Sequence, residues 1–130
     1  MKMTINVHQL KILQAALDLY TRVSMGQLNE VASVCMCNRS HGNGDINGLR
    51  EALVDLKPEF LDLHRDGYDG IGSPKLNGDV PIAYDMQKQI QQSIYNSSNA
   101  QEVSTWAEGS ILHLGSEKLI QITTQDENDK

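Results

Sequence analysis

Apolar residues recur at three- and four-residue intervals through most of the chain, and the period shortens only towards the C-terminus. This pattern predicts helices first and strands last. Leu10, Leu13, Leu17 and Tyr20 share one face of a first helix that begins at Asn6, a residue suited to capping. Ile12, Ala15, Ala16, Leu19 and Val23 add a second apolar face, so burial on two sides is expected. Gly26 is a break or tight-packing point, after which Leu28, Val31, Ala32, Val34 and Cys35 resume the helical rhythm. Residues 6–36 therefore read as one kinked helix or two helices joined at Gly26.

The next helical stretch covers residues 46–65, where Ile46, Leu49, Leu53, Leu56, Phe60 and Leu63 alternate three and four apart. Pro58 interrupts its hydrogen bonding, so a bend or a restart near Lys57 is expected. Residues 66–80 form a long loop with four glycines, of a length that raises the chance of binding. A helix over 81–95 follows, with Ala83, Met86, Ile90 and Ile94 on one face. Within 103–124, Val103–Trp106, Ile111–Leu114 and Leu119–Ile122 read as short strands, the last two forming a hairpin across Gly115–Lys118. The tail, 125–130, is expected to be disordered. The fold class is α+β in a single domain, 1–130: N-terminal helices packed with a small C-terminal antiparallel hairpin or sheet.

Composition narrows the function classes. The 130 residues carry 11 basic and 17 acidic side chains, a net charge of -6 that disfavours broad coating of DNA. A small anion can still be held by a few arginines and backbone N–H groups. No apolar run approaches the roughly 20 residues of a membrane span. Two cysteines, Cys35 and Cys37, are too few and too close for a disulfide framework, which suits a reducing compartment. With His41 they lack the spacing and fourth ligand of a zinc site, and Cys35 is expected as a small core residue. No metal or cofactor is called for, and no hydrolase or nucleotide-cleaving motif is present.

Three places carry candidate chemistry. Arg22 sits among apolar helix residues, where a cation needs either a carboxylate such as Asp18 or a ligand. His64 and Arg65 read as a basic helix C-terminus. Tyr84 and Asp85, with Tyr68 and Ser73 in the preceding loop, have two readings. They form either a nucleotide-binding corner, where N–H groups face phosphate and tyrosine stacks a base, or a capped helix with tyrosines at the core's edge. Trp106 is expected as a core or interface residue on a strand.

Two segments also resemble a known family. Leu17–Glu30, with its Tyr-Thr-Arg-Val-Ser-Met-Gly-Gln centre, is similar to one signature of a family of small bacteriophage proteins. The loop Tyr68–Pro74 and the following Val80–Gln87, with Ala83-Tyr84-Asp85, resemble the second signature, although Asp69 separates Tyr68 from Gly70-Ile71. The family is that of the phage Thoeris anti-defence sponges. The resemblance implies an α+β homo-oligomer, a dimer or a larger assembly such as a hexamer, in the cytoplasm of an infected bacterial host. It would sequester a cyclic nucleotide immune signal, glycocyclic ADP-ribose or a cyclic oligonucleotide, without cleaving it. On that resemblance Arg22 meets phosphate, Gly26 and Gln27 allow close backbone approach, and Tyr68 contacts the base. Ile71, Gly72 and Ser73 line the loop, with Tyr84 and Asp85 near ribose or phosphate. Two alternatives stay open: an interaction protein that inhibits a host protein, and a small cyclic-nucleotide hydrolase.

Overall fold

The computed structural model describes residues 3–39, 45–97, 115 and 122–124. Their order is β1 (Met3–Ile5), α1 (Val7–Ser24), α2 (Asn29–Cys37), α3 (Ile46–Asp55), α4 (Lys57–Phe60), α5 (Asp79–Ser97) and β2 (Ile122–Thr124). The described chain is thus mostly helical. It divides into two compact units, one made of residues 1–18 and 78–130, the other of residues 19–77.

In the first unit, the entry into α1 is fixed by a reciprocal cap. The Asn6 side-chain oxygen accepts from the Gln9 backbone N–H at 2.8 Å, and the Gln9 side chain accepts from the Asn6 N–H at 3.1 Å. Two otherwise unsatisfied donors are covered this way. Leu10, fully buried, packs with Ile5 and Ile90, and Leu13, Leu17, Ile94 and Ile122 close around them. The Leu10–Leu13–Leu17 stripe predicted from spacing therefore faces this core. The second apolar face does not become buried: Ile12 is 58% exposed and Ala15 and Ala16 are also open.

The sheet seen is a different one from the antiparallel hairpin expected over 111–122, which lies almost wholly outside the described residues. Among the described residues it has two strands, β1 and β2, paired in parallel with Met3 opposite Ile122 and Ile5 opposite Thr124. A parallel pair needs a crossover rather than a tight turn, and here the partners come from the two ends of the chain. The strand expectations at 103–106, 111–114 and 119–121, with Trp106 among them, and the tail 125–130 lie outside the described residues.

In the second unit, α1 ends at Ser24 and Gly26 turns the chain with φ +92° before α2 begins at Asn29. The Asp45 carboxylate caps α3 by accepting from the Gly48 N–H at 2.8 Å. The stretch expected as helix over 46–65 stops early. α3 ends at Asp55, α4 restarts with Pro58 in its first turn and closes at Phe60, and Asp62 adopts φ +52°, a left-handed conformation that ends a helix.

The apolar stripe of these helices stays partly open, with Leu49 and Leu56 exposed and Phe60 at 72%. Tyr20 is likewise exposed, and so are Cys35 and Cys37, correcting the expectation that Cys35 enters the core. Helical spacing says which residues share a face. Whether that face is covered depends on what packs against it.

Candidate functional site

A cleft of about 520 Å³ opens in the second unit. Its walls come from the end of α1 and the Gly26 turn, from α2, from the α3–α4 pair and from the loop after α4. Arg22, Gln27 and Tyr68, expected at a site from the sequence, all line it. Their convergence depends on Gly26. A Cβ there would lie 2.5 Å from Leu63 Cδ1 and 3.9 Å from the Tyr68 Cα, so the turn and the Tyr68 loop pass in close contact. The Asp69 N–H donates to the Met25 carbonyl at 2.8 Å and ties the two segments together.

Arg22 is about half exposed, donates to the Gln27 side-chain oxygen at 3.0 Å and lies 3.9 Å from the Glu30 carboxylate. The Arg22–Gln27 contact keeps the guanidinium at the wall of the cleft. Tyr68 is 58% exposed, which leaves its ring free for stacking.

Three further cations share the lining: Arg50 and Lys57, not singled out as site residues from the sequence, and Arg65, read there as part of a basic helix C-terminus. Arg65 does not sit at a helix C-terminus as expected, since α4 ends at Phe60. It reaches back to α3, where Glu51 and Asp55 accept from it, the latter at 3.1 Å, and Asp66 lies 3.9 Å away. The hydrogen bond to Glu51, then that to Asp55, raises its already high pKa. With three carboxylates around one guanidinium, Arg65 braces the fold and offers little net charge to a ligand.

Arg50 donates to Ser33 Oγ at 2.8 Å, joining α3 to α2. Lys57 is only 3% exposed. Arg50, Val54 and Lys57 all line the cleft and stand four and three residues apart, the spacing of a single helix face. That spacing was the available signal. It was masked by the stronger apolar stripe through Leu49, Leu53, Leu56 and Phe60.

Ile71, Gly72 and Ser73 belong to the same unit but do not line the cleft. The Ser73 hydroxyl accepts from the Lys75 N–H at 3.2 Å, and the Ser73 N–H donates to the Gly70 carbonyl at 2.9 Å, so this part of the loop is closed by its own turns. A Cβ at Gly72 would meet nothing within 4 Å. Gly72→Ala is accordingly expected to shift the melting temperature by no more than the equivalent of about 0.5 kcal/mol, checked by thermal denaturation.

Tyr84 and Asp85 belong to the first unit, on α5. Lys88 Nζ stands 5.2 Å from the centre of the Tyr84 ring, a cation–π contact one helical turn on. Asp85 is buried, and its carboxylate accepts from the Gly115 N–H at 2.5 Å, tying a C-terminal residue to α5.

No protein-family model, curated protein or solved structure matches this chain. The chemistry of the cleft is that of its own residues. It offers cationic donors and an open aromatic ring in a chain whose overall charge is negative. Cysteines 35 and 37 are free and exposed on α2, and His41, the third donor weighed with them, lies outside the described residues. Among the described residues, no helix is long and apolar enough to cross a membrane.

Proposed function

We propose that this protein is a phage-encoded anti-defence sponge that binds a cyclic nucleotide immune signal in the cytoplasm of the infected host and holds it uncleaved. One observation carries this reading: Arg22 and Gln27 from one family-like segment and Tyr68 from the other line the same cleft. The ligand is glycocyclic ADP-ribose or a cyclic oligonucleotide. Its phosphates meet the guanidinium and ammonium groups, and its base stacks on Tyr68. A sponge needs donors, a stacking surface and enclosure, but no nucleophile. Assembly into a homo-oligomer would enclose the cleft further, and the exposed Ile12, Leu56 and Phe60 support such assembly.

Those same exposed residues favour the second reading, an interaction protein that inhibits a host protein by contact. One experiment separates these readings from the hydrolase alternative. The purified protein is incubated with cyclic ADP-ribose isomers and cyclic oligonucleotides, freed of unbound ligand, heat-denatured, and the released material chromatographed. Intact ligand is expected; altered ligand identifies a hydrolase, and no ligand favours the interaction protein. Arg22→Ala should reduce retention at least tenfold, about 1.4 kcal/mol for one charge-assisted contact. Unchanged retention in a folded variant removes Arg22 from the site.

A further inference from the structure

The four lining cations of the cleft are not equivalent. Arg65 is surrounded by three carboxylates, and Arg22 has Glu30 at 3.9 Å. Arg50 and Lys57 have no carboxylate partner among the described residues. Arg50 uses one N–H on Ser33 and retains the rest of its fork.

Among the described residues Lys57 has no hydrogen bond or ion pair from its side chain. Among the described residues no fully buried side-chain nitrogen or oxygen lacks a partner. The small exposed remainder of Lys57 must therefore include its ammonium group, which reaches the cleft while its methylene stem is covered. An ammonium so placed, with no carboxylate partner among the described residues, is open to an anion that enters the cleft. Leu56, at φ -76° and ψ -21°, keeps the right-handed helical conformation between α3 and α4, so Arg50 and Lys57 stay on one face two turns apart.

We infer that Arg50 and Lys57 form a dianion subsite on the α3–α4 face of the cleft, and that it takes a pyrophosphate-bridged ligand. This rests on the nucleotide-binding reading above and narrows its ligand class. Two unpaired positive charges on one wall match the two negative charges of a pyrophosphate diester, as in an ADP-ribose, better than the single charge of one phosphodiester. Arginine grips one phosphate through its planar fork, and lysine meets the other as a point charge.

The test is calorimetric titration of the full chain with inorganic pyrophosphate, with adenosine as the uncharged probe, at low and high salt. Pyrophosphate is expected to bind, more weakly at high salt, and adenosine alone to bind far less. Arg50→Gln and Lys57→Met should each weaken pyrophosphate at least tenfold, whereas Lys75→Gln, in the exposed loop outside the cleft, should leave it unchanged. If Lys57→Met does not fold, Lys57→Arg replaces it and should retain pyrophosphate binding while Arg50→Gln loses it. Absence of pyrophosphate binding to the wild type, or equal affinity in the folded variants, overturns the subsite. Failure here is distinct from failure of the sponge reading. Intact cyclic nucleotide retained equally by wild type and Arg50→Gln removes the subsite alone. Pyrophosphate binding that depends on Arg50, with no cyclic nucleotide retained, removes the sponge alone.

Discussion

Leu10→Ala is expected to lower stability by about 3 kcal/mol, the middle of the range for truncating a fully buried leucine. Leu10 has no exposed surface and lies between Ile5 of β1 and Ile90 of α5, with Leu13 and Leu17 above it on α1. Removing its isobutyl group forfeits its transfer from water and leaves a cavity that two helices and a strand must close around. For a chain of this size the melting midpoint should fall by roughly 10 °C. Leu10→Met, which keeps the volume, should cost less than about 1.5 kcal/mol. A midpoint for Leu10→Ala within 2 °C of the wild type would mean that Ile5, Leu10 and Ile90 do not form the principal core of this unit.

Gly26→Val should be nearly as damaging, at about 2–3 kcal/mol, for a different physical reason. At φ +92° a side chain is strained wherever it points, and branching at Cβ sharpens the clash with the backbone. The added Cβ would also press on Leu63 Cδ1. Leu63 can swing aside, but the backbone strain has no such relief. Asparagine tolerates the left-handed region better than alanine, so stability should fall in the order Gly, Asn, Ala, Val. Ligand retention should fall in the same order, because this turn places Gln27 beside Arg22 and holds the Tyr68 loop through Asp69 and Met25. Alanine as stable as glycine in a denaturant titration would remove the turn's backbone requirement. Intact retention in Gly26→Val would separate the turn from the cleft.

Local features of the fold were legible because their causes are local. Asn6 is suited to capping by its own side chain, and Gly26 and Pro58 each interrupt a helical pattern by their own backbone chemistry. Pro58 did mark a restart, yet nothing in the spacing after it showed that the helix would close at Phe60, five residues short of Arg65, with Asp62 turning the chain beyond it. The candidate site was legible in part. Arg22 was noticeable as a cation in an apolar stretch, Tyr68 as one member of a corner with Ser73, Tyr84 and Asp85, and Gln27 entered through resemblance. Arg50 and Lys57 were missed because an apolar stripe at the same helical spacing, one residue back and about 100° round the helix, is the stronger pattern.

By itself the amino-acid order determined where helices start and break, which apolar residues share a face, and that the chain is acidic with scattered arginines. These follow from backbone chemistry and helical period, which act over a few residues. The tertiary structure alone decided that Leu10 is enclosed while Ile12 and Phe60 are not, that the N-terminal strand pairs in parallel with a C-terminal one, and that Arg65 is neutralised while Lys57 lines a cleft with no carboxylate partner among the described residues. Burial and charge compensation are set by residues distant in the chain. Their partners exist only once the segments have packed.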